Sequence, residues 1–163
     1  MPDIRIATSP DLPAIVAIYN QAIAAGNATA DTVPQTVESR RGWFEEHAPE
    51  SHPIYVYEED GRVLGWLSVS AYRGRPALAR TGEVSYYVDY ACRGRGIGSA
   101  LLGHALADAG RIGKKVYLAI LLEVNTASLR LLEKHGFQRW GYLPGVAERV
   151  GGLCGQYYYG RNV

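Results

Sequence analysis

Apolar positions divide the chain into segments of two different periods. Ile4 to Ala7 reads as a short strand. Leu12, Ile15, Val16, Tyr19, Ala22 and Ile23 then fall on one helical face. That helix is introduced by Ser9-Pro10-Asp11, with Pro10 at the first helical position and Asp11 at the favourable end of the dipole. Ala25 to Pro34 is loop-like, and Thr36 is placed to cap a second helix carrying Val37, Trp43 and Phe44. Ile54 to Glu58 and Val63 to Ala71 are predicted strands joined through Asp60-Gly61, a strong hairpin signal. Arg73-Gly74-Arg75-Pro76 breaks the pattern before a further strand, Glu83 to Asp89. A helix to about Ala109, a strand from Val116 to Leu121 and a helix from Thr126 to His135 follow. Gly136 stands where a left-handed helix cap is expected, and Phe137 to Leu143 and Gln156 to Arg161 are the last strands. No internal repeat, low-complexity tract or linker interrupts the series, which predicts one mixed α/β domain over residues 1–163.

Composition narrows the partners. With 163 residues, 47% of them hydrophobic, the chain can bury a core of its own. A net charge of +1 with 20% charged residues gives no bulk attraction to nucleic acid or membrane. Cys92 and Cys154 have no close partner in sequence, and His47, His52, His104 and His135 lack metal-ligand spacing. Neither a disulfide framework nor a metal site is expected. The first residues, Met1-Pro2-Asp3-Ile4-Arg5-Ile6, lack an apolar signal core, so a cytoplasmic protein is expected.

The densest chemistry lies at Arg93-Gly94-Arg95-Gly96-Ile97-Gly98, between the Glu83–Asp89 strand and a helix opening at Ser99. A strand, a glycine-rich turn and a helix N-terminus make an anion site: unpaired N–H groups converge, the dipole adds positive character, and glycine admits close approach. Arg93 and Arg95 add positive charge, so a diphosphate-bearing ligand is expected. A Walker A loop is excluded because no lysine lies near Gly98. The dinucleotide fingerprint fits poorly: Ser99 takes its third glycine position, and Asp89 to Arg93 separate the strand end from Gly94.

Arg-x-x-Gly-x-Gly after a strand carrying a carboxylate resembles the acetyl-CoA site of the GNAT superfamily of N-acetyltransferases. Asn125-Thr126-Ala127-Ser128-Leu129, running on to Lys134-His135-Gly136-Phe137, resembles that superfamily's next coenzyme-contacting helix and strand. Ile18-Tyr19-Asn20, Asn27-Ala28-Thr29-Ala30-Asp31 and Thr81-Gly82-Glu83 are more narrowly similar to the phosphinothricin acetyltransferase branch. The resemblance implies a central, mostly antiparallel twisted sheet, flanked by helices and splayed at the acetyl-CoA strand. It also implies a homodimer, acetyl-CoA as co-substrate and a small-molecule amine as acceptor.

Acyl transfer from a thioester to an amine needs a base, a polarised carbonyl and a leaving thiolate. Glu83 matches the branch's catalytic acid; the plainer alternative is a strand glutamate paired with an arginine. By the resemblance, backbone groups of Tyr86, Tyr87 and Val88 pair with the pantetheine arm, and Ser99 joins Arg93 to Gly98 at the pyrophosphate. Five strand residues span about 16 Å, comparable to that arm. Asn125 can cap its helix, contact the coenzyme, or both, with Ser128 beside it. Arg73 and Arg75 offer planar forks for an amino-acid carboxylate, or form a solvated basic loop.

Two positions depart from the branch. Ala30 replaces a pocket-lining phenylalanine, implying a roomier acceptor site. Leu132 replaces the histidine or tyrosine that would protonate the thiolate. Nearby tyrosines, or less favourably His135, are the substitutes, unless the thiolate leaves unaided. The expected activity is N-acetylation of a small amino acid or analogue of the phosphinothricin or methionine sulfoximine kind. Acylation of a protein N-terminus or a polyamine, or a non-catalytic acyl-CoA sensor, are the alternatives.

Overall fold

The computed structural model describes all 163 residues. Its strands are β1 (Asp3–Ile6), β2 (Ile54–Glu59), β3 (Arg62–Ala71), β4 (Thr81–Val88), β5 (Val116–Leu122), β6 (Gln138–Arg149) and β7 (Gly152–Asn162). They form one seven-stranded sheet in the order β1-β2-β3-β4-β5-β7-β6. Helices α1 (Leu12–Ala25), α2 (Val37–Glu45), α3 (Ile97–Asp108) and α4 (Thr126–Lys134) flank it. All strand pairs are antiparallel except β4–β5.

That exception makes the site. The parallel ladder holds for Thr81↔Val116, Gly82↔Tyr117 and Glu83↔Leu118, and β4 then parts from β5. On its other side β4 stays paired with β3 as far as Val88↔Gly65. The sheet therefore opens in its middle, immediately beyond Glu83. Gly82 permits the close approach that precedes the opening: a Cβ there would lie 2.9 Å from Val69 Cγ1 and 3.1 Å from the Tyr117 ring.

Two apolar clusters hold the faces. Leu67, Val69, Leu101, Leu102, Tyr117, Leu132 and Phe137 pack between the sheet, α3 and α4. Ile15, Ile18, Tyr19, Ile23, Val56 and Trp66 pack α1 on the other face, with Trp43, Phe44 and Tyr87 against them. Alternation along β4 divides its side chains between the two: Val84, Tyr86 and Val88 join the α3/α4 face, Tyr87 the α1 face.

The predicted elements are found, with α3 opening at Ile97 rather than Ser99 and with three further differences. Ser9–Asp11 is a separate 3₁₀ turn, Thr8 is the cap, and Asp11 is buried, with Arg5 donating to it at 2.7 and 2.9 Å. Short 3₁₀ turns also occur at Pro76–Leu78 and Tyr90–Cys92. The last two strands run much further than Leu143 and Gln156, because Pro144-Gly145 does not end β6. The register shift between Leu143 and Ala147 absorbs those residues as an irregularity, with Gly145 in the left-handed region at φ 62°.

Candidate active site

The glycine turn forms as the sequence predicts. Gly94 and Gly96 both take left-handed backbone, φ 77° and 78°, and Gly96 caps α3. The first α3 hydrogen bond is donated by Ala100 to the Gly96 carbonyl at 2.9 Å, leaving the N–H groups of Ile97, Gly98 and Ser99 ahead of it without helical acceptors. The Ile97 side chain is fully buried, so that residue can serve a ligand by its backbone alone. The two arginines differ. Arg95 is engaged by Glu59 of the β2–β3 hairpin at 2.7 Å, which spends its charge locally. Arg93 has its guanidinium 3.4 Å from the centre of the Tyr90 ring, at the wall of the adjoining cavity. The Ser99 hydroxyl is also taken, by His135 Nε2 at 2.8 Å, which ties α3 to α4.

That cavity, about 170 Å³, runs from the turn along β4 between Tyr86, Tyr87 and Val88 on one side and Asn125, Ala127, Ser128 and Leu131 on the other. Asn125 caps α4, its Oδ1 accepting from Ser128 N at 3.3 Å, and lines the cavity as well. The Tyr86 and Ser128 hydroxyls are hydrogen-bonded to each other across the cavity. Tyr90, also on its wall, carries a buried hydroxyl without a partner. An orphaned phenol is costly unless something completes it.

A second cavity of about 260 Å³ lies on the α1 face. Glu83, Ser85 and Tyr87 line it from β4, with Tyr19 from α1, Ala28 to Asp31 from the loop, and Ile120 to Leu122 from β5. Burial pushes the Glu83 carboxyl above its ordinary pKa, and the charge of Arg73 partly opposes that rise. Tyr19 fixes the loop, its hydroxyl bonding to Asp31 and, at 2.8 Å, to Thr29. Asn20 pins the loop's far end by two hydrogen bonds to the Gln35 backbone, at 2.9 and 2.8 Å. These bonds explain the Ile18-Tyr19-Asn20 motif: its side chains shape the pocket wall.

Arg73 and Arg75 are exposed. Arg73 lies over the Tyr72 ring at 4.2 Å, donates to the Tyr72 carbonyl at 2.8 Å, and is near enough to act on Glu83. Arg75 precedes the Pro76–Leu78 turn, and neither arginine lines the Glu83 cavity or the channel along β4. Ala30 lines the Glu83 cavity and a larger neighbour of about 740 Å³, enclosed with Leu143 to Val150 of the β6–β7 hairpin. Leu132 is fully buried in the core. Glu123, the residue that a dinucleotide reading would need for a ribose, instead accepts from Gly155 N at 2.8 Å and Tyr142 OH at 2.7 Å, fastening the hairpin. Sequence reasoning missed the Tyr86–Ser128 and Tyr90 hydroxyls, because their meaning depends on contacts that no local pattern encodes.

The Acetyltransferase (GNAT) family matches residues 15–137, the stretch that holds the parted strand, Glu83 and the glycine turn. The chain belongs to this family. YwnH of Bacillus subtilis (strain 168), whose name gives it phosphinothricin acetyltransferase activity by inference, is 50% identical over 149 residues, covering 91% of each chain. The L-methionine sulfoximine/L-methionine sulfone acetyltransferase of Pseudomonas aeruginosa is 36% identical over 151 residues, 91% of this chain and 87% of its own. The crystal structure of a GNAT phosphinothricin acetyltransferase from Sinorhizobium meliloti in complex with AcCoA superimposes with a TM-score of 0.93 at 26% identity, covering 99% of this chain and 88% of that one. The protein is an N-acetyltransferase of GNAT type, and no helix in it is long and apolar enough to cross a membrane.

Proposed function

We propose that this protein transfers the acetyl group of acetyl-CoA to the α-amino group of a small amino acid or analogue, of the phosphinothricin or methionine sulfoximine kind. The single observation that carries the reading is the parting of β4 from β5 beside Glu83, between a 170 Å³ channel and a 260 Å³ pocket. The backbone of residues 94–99, with Arg93, holds the diphosphate. Tyr86 and Val88 offer free backbone groups to the pantetheine arm, Tyr87, whose backbone pairs with β3, adds its side chain to the wall, and Asn125 and Ser128 bind from the opposite side.

Glu83 is the base. Its raised pKa brings it nearer the operating pH, where a carboxylate accepts an ammonium proton most effectively. Arg73, whose charge acts on Glu83, binds the acceptor's carboxylate, Arg75 stands outside the pocket, and Ala30 leaves the pocket wide. The domain is residues 1–163. A cytoplasmic homodimer is proposed, supported by two free thiols and by the apolar side chains exposed on the β6–β7 hairpin, Val146, Val150 and Leu153 among them. The test is thiol release from acetyl-CoA over a panel of amines. Turnover of phosphinothricin, methionine sulfoximine or methionine sulfone is expected, and turnover of polyamines or peptides in their place would overturn the acceptor class.

A further inference from the structure

Position 132, where a proton donor for the leaving thiolate would stand by resemblance, is occupied by a leucine sealed into the core. His135, one turn on, is committed to Ser99. Yet a pocket of about 40 Å³ lies in the opening of the sheet, between Val84–Tyr87 of β4 and Ala119–Leu121 of β5. Four hydroxyl-bearing residues line it: Ser85, Tyr86, Tyr87 and Ser128. Ser85 and Tyr87 face the same side as Glu83, while Tyr86 faces α4 and bonds to Ser128.

We propose that Tyr86, held by Ser128, is a catalytic residue of the acetyl transfer and gives its proton to the departing thiolate. The inference rests on the acetyl-transfer reading above. Base and donor then stand on opposite faces of β4, so the carboxylate that collects protons from the amine cannot simply be quenched by the phenol that supplies one. As the new C–N bond forms, the C–S bond breaks with its electron pair on sulfur, and sulfur takes the Tyr86 proton. Of the two protons the ammonium loses, one restores Tyr86 through solvent and one is released, so the sum is amide, thiol and one proton. Burial raises the Tyr86 pKa to about 12, against the opposing Ser128 hydrogen bond, which keeps the phenol protonated at neutral pH.

The test is the thiol pKa of coenzyme A bound to the protein, read from thiolate absorbance in the ultraviolet. A donor aimed at sulfur stabilises the thiolate, so Tyr86→Phe should raise that pKa by about one to two pH units, the equivalent of one hydrogen bond to a charged atom. It should also lower kcat roughly ten- to a hundredfold by the same interaction, with coenzyme affinity within about twofold. Ser128→Ala, a smaller perturbation, should move the pKa the same way by less. Glu83→Gln should lower kcat without moving it. An unmoved thiol pKa in both Tyr86→Phe and Ser128→Ala overturns the assignment. If Glu83→Gln is then still slow, acetyl transfer stands and Tyr86 alone falls; if coenzyme A does not bind the wild-type protein, the acetyl-transfer reading falls too.

Discussion

Arg73 is assigned two tasks that one substitution separates. Its guanidinium is exposed, stacked on Tyr72 and close enough to Glu83 to oppose the pKa rise that burial imposes. Arg73→Gln removes a positive charge while keeping hydrogen-bonding reach. If the fork binds the acceptor's carboxylate, a charge-assisted pair of about 1.5–3 kcal/mol is lost, and KM for amino acids rises roughly ten- to a hundredfold. The corresponding carboxamides, which carry no charge there, should keep their KM. Glu83, no longer opposed, should titrate at higher pH, so the acidic limb of kcat/KM moves upward. Solvent screens an exposed charge, and that shift should stay below about one pH unit. Initial rates with acid and amide acceptors between about pH 5 and 9 measure both effects, because kcat/KM reports the free enzyme's base. Equal losses for acids and amides with an unmoved limb would show that Arg73 merely orders its loop.

Gly96→Val should abolish coenzyme A binding in a calorimetric titration, since φ 78° disfavours a branched residue and its side chain would enter the space an anion must reach. A folded variant with unchanged affinity would remove the turn from the coenzyme site. Leu132→His, which on sequence alone promises a new donor, should instead cost stability by about 1–3 kcal/mol without raising turnover, because the ring would be buried among apolar side chains. A lowered denaturation midpoint with no gain in rate is the expected result, and faster turnover at unchanged stability would contradict it.

Much of this was legible in sequence, for identifiable reasons. The Asp60-Gly61 hairpin, the glycine turn, the Thr36 cap and the left-handed Gly136 are local signals, and each is found in place. Glu83 and Asn125 were legible because their flanking motifs fix where they lie on a strand and at a helix start. What escaped were pairings between distant segments. Arg95 looks like half of an anion clamp until the β2–β3 hairpin brings Glu59 to it. Leu132 reads only as a missing proton donor on α4 until the core closes over it. The length of β6 was hidden by Pro144-Gly145, a pair that usually ends a strand and here sits in an irregularity.

Glu83→Gln tests the central claim most directly, because it changes the proposed base at nearly constant shape. The account predicts a kcat lowered by roughly 10²–10⁴, the usual worth of a positioned general base, with acetyl-CoA affinity retained. The sign of the pH dependence follows from the carboxyl: wild-type activity should climb as pH rises through the raised Glu83 pKa and the carboxylate forms, and the variant, whose amide cannot titrate, should lack that limb. Near-wild-type turnover at pH 7 with the acidic limb intact would contradict the account.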